Sequence, residues 1–164
     1  MAKCTSNLRL MQINICGLSH HSLTALSNCM FERSVDISFV SETKSSDLDA
    51  NQSIPGYVNF FKKCSKSFSG GVALFVKSNF RYTLIKKLED NEVDALFVSV
   101  VFRSLKILFV SVYIPPNDAR TPNKFLGIIV DALTRLSDFG CDELCILGDL
   151  NARHPSWYDH TSNK

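Results

Sequence analysis

Glycine and proline are scarce in this chain, at seven and five of 164 residues. No internal repeat and no Pro- or Gly-rich linker is visible, which predicts a single domain over residues 1–164. No apolar run approaches the roughly 18–20 residues that a membrane span needs. No secretory leader opens the sequence. These absences predict an intracellular protein, in the nucleus or the cytoplasm, with no membrane partner. Strong charge of either sign is lacking as well. The formal net charge is +2, which permits a phosphate-bearing partner without demanding one. The six cysteines, Cys4, Cys16, Cys29, Cys64, Cys141 and Cys145, include no CxxC pair. Cys141-x3-Cys145 has no matching His/Cys pair, so no zinc site is expected. Several of these cysteines lie in apolar runs, where a reduced thiol packs as a small hydrophobe.

What is present is 45% hydrophobic residues, enough for one core-bearing domain. The most informative stretch is Leu144-Cys145-Ile146-Leu147-Gly148-Asp149-Leu150-Asn151. A short apolar run ended by glycine predicts a buried strand that delivers polar groups at its C-terminal edge. If the strand continues through Asn151, Asp149 and Asn151 share a face about 6–7 Å apart. A carboxylate and an amide so placed can hold a water or a phosphate oxygen. The alternative is a turn in which Asp and Asn bond their own backbone.

Leu8 to Ile15 predicts the first strand, with Gln12 and Asn14 polar near its end. Ser22 to Ser34 carries Leu23, Leu26 and Met30 at helical spacing, with Ser22 as N-cap. Asp36 to Ser41 predicts the next strand, with Glu42 at its end. Strand, helix and strand in so short a span make a βαβ unit with parallel strands. Ligand sites in such sheets lie off the strands' C-terminal ends, and Asn14 and Glu42 both stand there. Tyr57–Phe61 and Val72–Val76 predict a hairpin around the basic turn Lys62-Lys63-Cys64-Ser65-Lys66-Ser67. Those lysines are either phosphate contacts or a solvated face. Arg81–Lys87 predicts another strand. Val93–Phe102 and Ile107–Ile114 predict an antiparallel hairpin turned at Arg103–Lys106. Pro115-Pro116 stops it and leaves Tyr113 near an edge. Thr121 to Phe139 predicts a helix with Phe125, Ile128, Ile129, Ala132, Leu133, Leu136 and Phe139 in one stripe, capped by Gly140.

Gln12-x-Asn14, Ser41-Glu42-Thr43, Gly70-Gly71-Val72-Ala73, Val112-Tyr113-x-Pro115-Pro116 and Gly148-Asp149-Leu150-Asn151 occur in one order. That set resembles the endonuclease/exonuclease/phosphatase superfamily. Asn151-Ala152-Arg153-His154-Pro155-Ser156-Trp157 is similar to a segment of non-LTR retrotransposon endonuclease domains of the jockey or R1 type. The resemblance implies an α/β fold, a two-sheet α/β sandwich of the DNase I-like type with its site between the sheets. It also implies nicking of a DNA phosphodiester with Mg²⁺ (or Mn²⁺) to leave a 3′ hydroxyl for target-primed reverse transcription. Glu42 would ligate the metal, with Asn14 in the same metal site. Asp149 would orient or deprotonate the attacking water. Asn151 would hold that water or a phosphate oxygen, and Tyr113 would contact the scissile phosphate. Arg153 and His154 would face the DNA. A hard cation takes carboxylate oxygen and can polarise a phosphoryl oxygen. The implied partners are DNA and a reverse-transcriptase domain or frame downstream, with no small-molecule cofactor.

One departure qualifies the resemblance. Family members are longer and end in a Ser-Asp-His segment whose His stabilises the phosphate. Asp159-His160 lies too soon after Asp149 to take that place. The chain is therefore expected to be a C-terminally truncated domain, its N-terminal two-thirds. A catalytically inactive fragment or DNA-binding remnant, and a phosphatase of the same superfamily, remain alternatives. Arg153-His154-Pro155-x-Trp157 speaks against the phosphatase.

Overall fold

Ile37-Ser38-Phe39-Val40-Ser41 is buried at every position. A strand without an exposed face must be covered on both sides, so its sheet lies between two apolar layers. The computed structural model describes residues 7–44, 52–63, 70–116 and 120–152. Its elements in chain order are β1 (Leu10–Asn14), α1 (His20–Glu32), β2 (Ile37–Ser41), β3 (Tyr57–Lys62), β4 (Val72–Lys77), β5 (Arg81–Leu84), β6 (Asp94–Phe102), β7 (Leu105–Tyr113), α2 (Thr121–Thr134) and β8 (Glu143–Asp149). Two sheets result, ordered β1-β2-β4-β3 and β5-β6-β7-β8. Each mixes parallel and antiparallel pairs. β1 runs parallel to β2 and β7 parallel to β8, while the other neighbours are antiparallel.

The sheets pack face to face over Phe39, Leu74, Val98 and Phe109. The Phe39 and Phe109 rings meet edge to face, 5.9 Å apart, the arrangement their quadrupoles favour. α1 covers the outer face of the first sheet through Leu23, Leu26 and Met30. α2 covers the outer face of the second through Phe125, Ile129 and Ala132. The architecture is thus the expected α/β sandwich of two sheets and two helices.

Several boundaries differ from expectation. α1 is capped by Ser19 rather than Ser22. Ser22 stands at the third helical position, and the two serines bond each other's backbone in a capping box. A second serine three residues on can reverse the roles, which is why spacing misplaced the cap. Leu133 was expected in the buried stripe of α2 yet is 53% exposed. Apolar residues surround this helix, and only those that turn toward β6 and β7 are covered. The helix also stops at Thr134. A 3-10 turn, Ser137–Phe139, follows and ends on Gly140 at φ 61°. The expected strand from Arg81 to Lys87 is shorter, because Lys86–Leu88 forms a 3-10 turn. The β6–β7 hairpin closes on Arg103-Ser104 alone, tighter than the four-residue turn expected. Among the described residues no helix is long and apolar enough to cross a membrane.

Candidate active site

Each sheet contributes one parallel pair, and both pairs end on the same rim. In the first, Asn14 lies beside Ser41 at the ends of β1 and β2, so Glu42 follows directly. In the second, Tyr113 lies beside Asp149 at the ends of β7 and β8. The Asn14 amide nitrogen joins the sheets. It donates to Glu42 Oε1 at 2.8 Å and to Asp149 Oδ2 at 3.1 Å, which holds the two carboxylates no more than about 6 Å apart. Asn14 Oδ1 accepts the Cys16 backbone N–H at 3.1 Å. That bond sets the side chain's orientation, with its donor end toward the carboxylates.

Backbone bends aim these side chains. Glu42 has φ 52°, Cys16 φ 50° and Lys44 φ 50°. Such left-handed conformations are costly for residues other than glycine, Asn or Asp, and they concentrate at functional sites. The Glu42 loop is held from behind: the Thr43 and Lys44 N–H groups donate to the carbonyls of Gly71 and Gly70. The Gly71 N–H in turn donates to buried Asp94 at 3.0 Å. The Gly-Gly pair, noted in the sequence only as part of a strand motif, therefore anchors the loop that carries Glu42.

Gly148 has its own reason. A Cβ there would overlap the carbonyl oxygen of Val112 on the neighbouring strand. Only glycine lets β8 approach β7 closely enough to bring Asp149 level with Tyr113.

The strand does not continue through Asn151. That residue lies at φ 45°, and its N–H donates to Asp149 Oδ1 at 3.0 Å. The turn alternative is the one adopted, and asparagine tolerates this conformation. Asp149 nevertheless keeps Oδ2 in the site, so the turn and the site coexist. Asn151 Nδ2 donates to the Ile114 carbonyl at 2.9 Å and ties the end of β7 to that of β8.

The electrostatics follow from these contacts. The Asn14 hydrogen bond is the main reason the Glu42 carboxyl sits below its ordinary value of 4.5; hydrogen bonding and charge from Lys44, and a hydrogen bond with Tyr113, add to it. Glu42 is thus ionised at neutral pH. Tyr113 is only 2% exposed. Burial, then the Glu42 charge and hydrogen bond, push its hydroxyl up to about 12, so it stays a neutral donor. Lys44 and Cys16 also reach this site, and sequence reasoning missed both. Lys44 Nζ lies 3.2 Å from Glu42 Oε2 and 3.1 Å from Cys16 Sγ. Neither forms part of the motifs quoted above, so only the structure could reveal them.

The donor set suits a hard divalent cation. Among the described residues no cluster of three or more His, Cys, Asp and Glu could hold a metal ion. Mg²⁺ does not need one, because it keeps several waters and binds through one or two carboxylates plus substrate phosphate. Glu42 presents carboxylate oxygen of that kind on the rim, with Asp149 close by. Asn14 stands beside them as a donor, and serves as a ligand only through the Oδ1 that Cys16 now occupies. An open groove of about 290 Å³ adjoins the rim, lined by Gln12, Val112, Ile146, Leu147, Gly148 and Leu150.

Residues 11–163 match the model of the endonuclease/exonuclease/phosphatase family. The chain belongs to that family. Its fold is similar to the endonuclease domain of TRAS1, a telomere-specific non-LTR retrotransposon, with TM-score 0.70 at 18% identity over 92% of this chain and 62% of that one. It is similar to the AP endonuclease LMAP from Leishmania major, with TM-score 0.70 at 19% identity over 95% and 59% of the two chains. D. rerio TDP2, solved with a single-stranded DNA product, matches with TM-score 0.58 at 15% identity over 93% and 64%. The chain therefore spans about six-tenths of the length of these relatives. No curated protein matches it. The family resemblance read from scattered motifs holds, and so does the sandwich fold it implied. Arg153, His154, Trp157, Asp159 and His160 lie outside the described residues, as do Cys4, Cys64 and Lys66.

Of the basic turn, Lys62 and Lys63 are described. Lys62 is half-buried, and its ammonium donates to the Asp90 carbonyl. Burial lowers its pKa from 10.5. Lys63 is exposed.

Proposed function

We propose that this endonuclease/exonuclease/phosphatase domain cleaves a DNA phosphodiester with the help of Mg²⁺, or Mn²⁺ in its place. The observation that carries the reading is the Asn14 amide, which holds Glu42 of one sheet and Asp149 of the other on a single rim. Glu42 would hold the cation, with Asn14 beside it. When bound, the cation polarises a phosphoryl oxygen and neutralises developing charge.

This chain's own residues do the rest. Asp149 orients the attacking water and takes its proton, while the Asn151 N–H on Oδ1 leaves Oδ2 facing the site. Neutral Tyr113 donates to a phosphate oxygen. Water attacks phosphorus, the bond to the 3′ oxygen breaks with the phosphate left on the 5′ side, and the departing oxygen takes a proton from solvent to become a 3′ hydroxyl able to prime synthesis. Asn151 holds the Ile114 carbonyl and hence the position of Tyr113 next to it. Arg153 and His154 extend the surface toward DNA. A reverse-transcriptase domain or frame downstream fits the likeness to the TRAS1 endonuclease.

The sequence has no match to the family's Ser-Asp-His segment. Loss of one such oxyanion-stabilising group costs about 10²–10³ in rate, so nicking by these 164 residues is expected to be slow. The test is conversion of supercoiled plasmid to open circles at high protein concentration with Mg²⁺. Glu42→Ala and Asp149→Ala should each remove the activity, and a polymerase should extend the nicks directly. Nicking that survives a chelator, or that Asp149→Ala leaves intact, would refute the proposal.

A further inference from the structure

An exposed lysine is normally solvated, its ammonium mobile on a flexible stem. Lys44 is not free in this way. Its head group lies between Glu42 Oε2 at 3.2 Å and Cys16 Sγ at 3.1 Å. Its side chain is 32% exposed and that of Glu42 19%. All three residues have left-handed backbone, at φ 50°, 52° and 50°. The Lys44 N–H is pinned to the Gly70 carbonyl at 2.9 Å. Two bent loops, one after β1 and one after β2, thus converge to bring one cation onto the carboxylate that would take another. Asn14 occupies the other Glu42 oxygen.

We infer that Lys44 is a built-in counter-ion that competes with the divalent cation for Glu42, and that Cys16 is the acceptor to which its ammonium retreats when the cation binds. The inference rests on the metal-dependent reading above. Lys44 would neutralise Glu42 between turnovers and keep the two nearby carboxylates tolerable. On cation binding its ammonium would leave Oε2 without becoming unpartnered, because the Cys16 sulfur still accepts a hydrogen bond. Lys44 and Cys16 would then be positioning residues that set cation affinity.

The experiment is Mn²⁺ titration of the 164-residue chain by calorimetry, without DNA. Exposed ion pairs contribute modestly, so Lys44→Gln should tighten Mn²⁺ binding about threefold to tenfold. Lys44→Arg keeps the charge and should bind as the parent does. Cys16→Ala removes the retreat and should weaken binding by about twofold. Opposite shifts from two neighbouring substitutions are not what a general structural disturbance produces. Measurable Mn²⁺ binding that Lys44→Gln leaves unchanged or weakens overturns the counter-ion while leaving the nuclease reading in place. No Mn²⁺ binding in the parent or in Lys44→Gln also overturns the counter-ion, and the plasmid assay above then decides the nuclease reading separately.

Discussion

Asn14→Ala removes the single donor that reconciles two carboxylates. The facing oxygens of Glu42 and Asp149 lie at 2.8 and 3.1 Å from one nitrogen. Two charges about 6 Å apart repel by about 1.5–3 kcal/mol at the effective dielectric of a protein surface. Asn14 is exposed, so solvent screens part of this, and about 1 kcal/mol of net repulsion is the expected share. The two hydrogen bonds add about 1 kcal/mol more, since water replaces them in the variant. Asn14→Ala should therefore lose about 2 kcal/mol of stability at neutral pH. The pH dependence separates this account from a simple cavity effect. Glu42 has a folded-state pKa below 4.5, with the Asn14 bond as the first cause. The stability it contributes is present above 4.5 and is lost as pH falls through the folded value. In the variant that contribution is gone, so the deficit should be larger at pH 7 than at an acid pH well below 4.5. Urea unfolding followed by circular dichroism at both pH values measures it. A deficit equal at both, or larger in acid, would refute the reasoning.

Gly148→Ala sets a methyl against the Val112 carbonyl, and should cost about 2–3 kcal/mol in unfolding free energy; a melting point unchanged from the parent would contradict the close approach. Tyr113 has its pKa raised from 10.0 to about 12, so its contribution is intact below pH 10 and lost as pH climbs to 12. Tyr113→Phe should abolish about 2 kcal/mol of that alkaline loss, read as the difference between parent and variant unfolding curves from pH 9 to 12. Lys63→Ala should weaken DNA binding and lower the salt slope by about one, whereas Lys62→Ala, which loses the bond to Asp90, should lower stability instead. Equal salt slopes for parent and Lys63→Ala in fluorescence anisotropy would return Lys63 to the solvated face.

Much of the fold was legible because its signals are local. The long β-branched and aromatic runs Val93–Phe102 and Ile107–Ile114 marked the hairpin, and a strand, a helix and a strand marked the parallel pair β1–β2. Polar residues that interrupt apolar runs at Asn14, Glu42 and Asp149 marked strand ends. What failed were features whose deciding partner is distant or duplicated. Two serines competed for one cap. Leu133 kept the helical period yet faces outward, because periodicity states which residues share a face and not how wide the covered face is. Lys62 looked like a solvated charge until β3 brought it against Asp90.

The sequence by itself determined the parts: the secondary structure, the family, and three polar side chains waiting at strand ends. Those follow from backbone preferences and apolar spacing, which act over a few residues. Only the tertiary structure decided that Asn14 serves both carboxylates, that Asn151 turns back to Asp149 and Ile114, and that Lys44 rests between Glu42 and Cys16. Each depends on two sheets meeting at one rim and on left-handed bends at Cys16, Glu42 and Lys44. Packing of the whole sandwich stabilises such bends; no local preference favours them.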